Sequence, residues 1–135
     1  LQTAMRTVMI ADSALITLMG GSVAFYDQLP ERAAMPYIVH DEPQTAEWDV
    51  TPTEADPGYG HEHSIMFHVW SDYEGKKEIG SILSRIEVLF RNWQPGTLTA
   101  HRVINIRYQF SDRLRDPDNQ AWHGVIQFRA VTEEI

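Results

Sequence analysis

The stretch Ser64-Ile65-Met66-Phe67-His68-Val69-Trp70-Ser71, followed beyond Gly75 by Ile79, Ile82, Leu83, Ile86, Leu89, Phe90 and Trp93, decides the fold. In its first part Ile65, Phe67 and Val69 alternate with Met66, His68 and Trp70, which is the two-residue period of a strand. Neither face is plainly polar, so both read as covered. In its second part the apolar residues recur every three or four positions and form one stripe, opposed by Lys77, Glu78, Arg85 and Arg91. That is an amphipathic helix. Ser71-Asp72 offers an N-cap and Pro95-Gly96 a stop, which frames one long helix from Gly75 to Trp93.

The segments on either side extend the same plan. Ile104, Ile106, Tyr108 and Phe110 alternate with Val103, Asn105, Arg107 and Gln109, giving a half-buried strand with an apolar and a polar face. Arg115-Asp116-Pro117-Asp118-Asn119 supplies turn chemistry, and Trp122, Ile126, Phe128 and Ala130 then alternate with His123, Gln127 and Arg129. These two strands predict a C-terminal hairpin. Near the start, Met5, Val8, Met9, Leu15, Ile16 and Met19 have helical spacing, interrupted by Asp12-Ser13, which can cap a second short turn, and stopped by Gly20-Gly21. Val23 to Tyr26 and Tyr37 to His40 read as short strands around a Pro-rich connection. The expected fold is a single α+β domain over residues 1–135, a two-layer sandwich with a mostly antiparallel sheet against the long helix and an N-terminal helix.

Between Asp41 and Gly60 the chain carries Asp41, Glu42, Glu47, Asp49, Glu54 and Asp56, three prolines and no Lys or Arg. This reads either as a long acidic loop or arm, or, around Trp48, as an extra strand over Thr45 to Thr51. The length of 135 residues, with 43% hydrophobic and 22% charged residues, suits one folded domain and excludes two catalytic ones. A formal net charge of −8 repels nucleic-acid phosphates, and the lack of Cys removes disulfides, Cys zinc sites and thiol catalysis. The first twenty residues, with Arg6 and Asp12 inside the apolar pattern, read as an amphipathic helix rather than a signal peptide, and no stretch is apolar enough to span a membrane. The expectation is a soluble chain made in the cytoplasm.

Chemistry-bearing motifs are few. His61-Glu62-His63 with His68 invites a metal, yet His68 falls on the opposite strand face from His61 and His63, and the spacing is no zinc signature. His40, His101 and His123 are scattered along the chain. No serine elbow or phosphate-binding glycine loop occurs, and the acid pairs Glu133-Glu134 and Glu47-Asp49 suit a solvated surface. No catalytic, cofactor or metal residue is therefore assigned. A ligand or substrate pocket between sheet and helix would draw on His63, His68 or Tyr108. The Met66, His68 and Trp70 face reads either as core or as an interface patch.

Charge is distributed unevenly. Arg102, Arg107, Arg113, Arg115 and Arg129 lie on the C-terminal hairpin, whereas acids dominate Asp41 to Gly60. One reading is a solvated face with weak local ion pairs. The other is a head-to-tail contact between copies, with Glu47, Trp48 and Asp49 on one side and Arg107, Arg113, Arg115 and Asp116 on the other.

The order of segments resembles a known family. Leu18-Met19-Gly20-Gly21, then Val23-Ala24-Phe25-Tyr26-Asp27-Gln28-Leu29-Pro30, then Met35-Pro36-Tyr37-Ile38-Val39 look like the start of the small tail-terminator or tail-completion proteins of long-tailed phages. Phe67-His68-Val69-Trp70-Ser71-Asp72 with Gly75 and the helix after it match that family's strand-to-helix step. The ending Trp122-His123-Gly124-Val125-Ile126-Gln127-Phe128-Arg129-Ala130-Val131-Thr132-Glu133 is similar to members found in gene transfer agents. The resemblance implies a non-enzymatic virion protein that assembles as a hexameric ring at the head–tail junction. There it would cap the tail tube protein, join a head-completion or connector protein, and let DNA pass without specific binding. It brings no catalytic residue and no cofactor. A head-completion or stopper protein of the same junction is the neighbouring reading.

Overall fold

In the computed structural model, which describes residues 1–28, 33–48, 60–72, 77–98, 101–116 and 121–134, two helices come first, α1 (Gln2–Ala11) and α2 (Ser13–Leu18). They are followed by β1 (Phe25–Tyr26), β2 (Tyr37–His40), β3 (Gln44–Trp48), β4 (Gly60–Ser71), α3 (Lys77–Arg91), β5 (Thr97–Leu98), β6 (His101–Asp116) and β7 (Ala121–Glu134). Hydrogen bonding orders the sheet β1-β2-β4-β7-β6-β5, with β3 beside β2 on the same edge of β4. Only β1 and β2 run parallel, so the α+β fold has a mixed sheet. Among the described residues no helix is long and apolar enough to cross a membrane.

The strand-to-helix stretch folds as its periods require. Ile65, Phe67 and Val69 of β4 are buried on the face that meets α3, and cross-strand register aligns them with Phe128, Ile126 and Gly124 of β7. Ile79, Ile82, Leu83, Ile86 and Phe90 of α3 pack on these residues, and Met5, Met9 and Leu15 of α1 and α2 close the same core. Burying side chains of this size contributes about 1.5–3 kcal/mol each before conformational entropy is set against it. Trp93 lies past the last turn of α3 and packs edge-on against Phe90, with ring centroids 5.2 Å apart. Gly96, with φ of +70°, then turns the chain into β5.

The structure corrects the reading of two strand faces and sets the described bounds of two other elements. The Met66, His68 and Trp70 face is not core under the long helix; it is half-buried on the side of the sheet away from α3. Of the two readings of the region around Trp48, the described residues follow the strand: residues 44–48 pair with residues 60–64 of β4, while residues 49–59 lie outside the described residues. The long helix is described over Lys77–Arg91. The simple alternation of β6 fails at two bulges, between Val103 and Asn105 and between Tyr108 and Phe110. Each bulge inserts a residue and inverts the pattern beyond it. Ile106 and Tyr108 therefore face the core, while Ile104 and Phe110 are 51% and 44% exposed.

Asp12 fixes the helical corner. Its backbone is extended between α1 and α2, one carboxylate oxygen accepts from the Leu15 N–H at 2.9 Å, and the guanidinium of Arg85 grips both oxygens at 2.8 and 2.7 Å. The Arg85 hydrogen bonds hold this carboxyl below the usual carboxylate range. Asp12→Ala is expected to cost about 1–2 kcal/mol, read as a lower urea midpoint. Asp12→Asn, which keeps a capping oxygen, should cost less.

Candidate assembly surface

Cross-strand register sorts the side chains of the sheet into two faces. The face away from α3 carries successive rows: Tyr37, Trp70, His123 and Leu114; then Val39, His68, Val125 and Asp112; then Met66, Gln127 and Phe110; then Gln44, Ser64, Arg129 and Arg107. One end of this face is aromatic and the other is charged. At the charged end Arg129 binds Glu62 through two hydrogen bonds of 2.6 and 3.0 Å, and Arg102 binds Glu133 at 2.5 Å. The Arg129 contact lowers the Glu62 pKa.

At the aromatic end the rings stack. Trp70 and His123 lie parallel with centroids 4.0 Å apart, His123 Nε2 is 2.7 Å from His68 Nδ1, and His68 Nε2 is 2.7 Å from Asp41 Oδ2. With Met35, Tyr37 and Val39 these side chains line a shallow depression of about 440 Å³. The His68–His123 contact was not legible, because 55 residues separate the two and only the β4–β7 register brings them together. Both were visible as ring-bearing positions of alternating strands, and a correct hairpin register would have found the pair.

The residues expected at an assembly contact do not form one patch within a chain. Arg107 is exposed on the face away from α3, opposite Arg129. Arg113 and Arg115 are exposed on the α3 side: Arg113 reaches along the helix beside Gly80, and Arg115 lies 5.9 Å from the Trp122 ring centre. Glu47 is exposed on β3, opposite His61 and on the α3 side, at the other edge of the sheet from β6. Trp48 ends β3 opposite Gly60, and Asp116 ends β6 opposite Ala121. Asp49 and the tip of the hairpin, residues 117–120, lie outside the described residues.

His63, His68 and Tyr108 do not converge: His68 points away from α3, Tyr108 packs against Phe128, and His63 lies between Thr45 and Thr132. His61 and His63 share a face, with ring centroids 6.3 Å apart, and among the described residues no group of three or more His, Asp or Glu is arranged to hold a metal.

His63 carries a pH dependence. Its Nδ1 is 3.1 Å from the Thr45 hydroxyl and its Nε2 is 2.8 Å from that of Thr132, and burial, reinforced by His61, pushes its pKa down. The folded chain therefore holds His63 neutral where the unfolded chain begins to protonate it, near pH 6.5. Stability is expected to fall as pH drops below about 6.5, and again in the carboxylate range as Asp12 and Glu62 lose charge. Urea midpoints from pH 8 to 3 should show both steps, and His63→Gln should flatten the first alone.

The fold occurs in phage-like particles. Among solved structures, a chain described as "Virion of native gene transfer agent (GTA) particle" superposes with a TM-score of 0.81 over 98% of this chain and 94% of that one, at 18% identity. No match is found among the curated proteins. The two chains thus share one α+β fold. The family model for "Tail completion protein gp17" matches residues 3–133, and the chain belongs to that family. It is a structural protein of a phage-like tail.

Proposed function

We propose that copies of the chain close into a hexameric ring at the head–tail junction, where the ring terminates the tail tube and joins it to the head connector. The observation that carries this reading is the family match across residues 3–133. The ring binds the tail tube protein on one face and a head-completion or connector protein on the other, and DNA passes through it. A net charge of −8 suits a conduit to which phosphates should not adhere. A ring also needs two different, complementary patches on each subunit. Glu47, Trp48 and Asp49 supply one, and Arg113, Arg115 and Asp116 at the opposite edge supply the other, with Arg107 on the other face of that edge strand. The role is one of assembly, without catalysis.

Deleting the gene tests this role. Filled heads and tail tubes should accumulate unjoined, and supplying the chain in trans should restore joined particles. Joined particles of normal tail length without the chain would overturn the reading. Recovery of the chain on isolated heads and never on isolated tails would move it to the stopper position.

A further inference from the structure

Among the described residues, the sheet ends in two strands with no strand along most of their outer edges. Along β6, β5 pairs only with His101 and Arg102, and the Val103 N–H donates to the Gly96 carbonyl at 3.0 Å. From Ile104 onward, among the described residues, the outer edge of β6 has no strand beside it. The bulges at 104 and 109 interrupt this edge, so residues 110–116 form its continuous run, in unbroken register with β7. At the other side, among the described residues, β3 pairs with β4 along one edge alone. Long open edges are templates for further strands, and natural proteins cover or blunt them.

The two edges match face by face. Followed through β4 and β7, the register puts Thr45 and Glu47 on the α3 side, where β6 places Ser111, Arg113 and Arg115. It puts Ala46 on the opposite side, with Phe110 and Leu114, which are 44% and 52% exposed. A strand that continues the sheet from one copy to the next without inverting its faces, with Ala46 against Leu114, thus sets Glu47 against Arg113 and Thr45 against Arg115 on one side, while on the other Ala46 meets Leu114 between Gln44 against Asp116 and Trp48 against Asp112. The strand directions also agree, because β3 runs antiparallel to β6 within a chain.

We propose that the outer edge of β3 in one copy pairs antiparallel with residues 110–116 of β6 in the next, with Ala46 opposite Leu114 and Glu47 opposite Arg113. The pairing rests on the ring reading and gives it a contact: main-chain hydrogen bonds supply adhesion and the side-chain match fixes the register. The contact is heterologous, so it propagates around a ring. Because β3 lies level with the start of β6, each copy steps along the strand direction of its neighbour, and the strands tilt as they do in closed sheets.

The absence of Cys from the chain makes the test direct. Directly opposed antiparallel residues have Cα atoms about 4.5–5.5 Å apart, within disulfide range. Oxidised Ala46→Cys/Leu114→Cys chain should give a ladder of linked species on a non-reducing gel, collapsed by reductant, whereas each single variant stays unlinked. A ring that forms without the ladder overturns the pairing and leaves the ring standing. Linking by Leu114→Cys alone would mean β6 against β6, and linking of Leu114→Cys to the tail tube protein would give the edge to the tube; either overturns the pairing. A chain that remains single in solution and on tail tubes overturns the ring and the pairing together. As a second reading, Glu47→Arg or Arg113→Glu should each weaken self-association by about tenfold or more, and the two combined in one chain should restore it. A combination as weak as the single variants would contradict the proposed register.

Discussion

Phe128→Ala is expected to destabilise the chain by about 3–5 kcal/mol, a third or more of the stability of an ordinary domain. Phe128 is fully buried at the point where three elements meet. Its ring stands edge-on to Phe67 at 6.4 Å, Phe90 at 5.5 Å and Tyr108 at 6.2 Å, so β4, α3 and β6 all lose a partner when it is truncated. For a chain of 135 residues a loss of about 4 kcal/mol lowers the melting temperature by roughly 14 °C. Phe110→Ala is the control, because its ring is 44% exposed on the opposite face and should cost less than about 0.5 kcal/mol. Melting curves of the two variants compare the same side-chain loss at a core and a surface position of the same sheet.

Gly124→Val is expected to be the second large loss, in a place where nothing is removed. A Cβ at Gly124 would sit 2.9 Å from Leu83 Cδ1 and 3.0 and 3.1 Å from Ile79 Cδ1 and Cγ1. Leu83 and Ile79 are 4% and 0% exposed, so neither has solvent to retreat into. The added bulk forces these side chains out of their rotamers or lifts α3 from β7. Overpacking of this kind costs about 1–3 kcal/mol, with Ala toward the lower end and Val toward the upper. Leu83→Ala should return part of the loss in the double variant, because the two side chains compete for one space. Simple addition of the two single losses in urea titrations would place the strain elsewhere.

The sequence reading succeeded where one period ran uninterrupted. The alternation of Ile65, Phe67 and Val69 and the stripe from Ile79 to Phe90 each bury one face, and the buried residues are those the periods name. The Asp12 cap was legible for a similar reason: a short acidic side chain interrupting an apolar pattern has one local use. The reading failed where tertiary pairing overrides the local pattern. The two bulges in β6 reverse which residues face the core, and they are set by pairing with β7 rather than by any residue type near Ile104 or Gln109. For residues 44–48 the sequence left loop and strand both open, because a five-residue edge strand carries little periodicity of its own.

The candidate surface was legible by charge but not by geometry. Counting arginines on the hairpin grouped Arg107 with Arg113 and Arg115, although the intervening bulge at 109 leaves Arg107 on the opposite face. Glu47 sits on an edge strand with its side chain exposed. The contact of His68 with both Asp41 and His123 needed two strand registers at once, which composition and spacing do not contain.

The most direct test of the account is native mass across a concentration series, with images of the species that dominates. A six-subunit ring with an open centre, increasingly populated as concentration rises, is the expected result. A closed dimer at every concentration, or a monomer that fails to bind purified tail tubes, would contradict it.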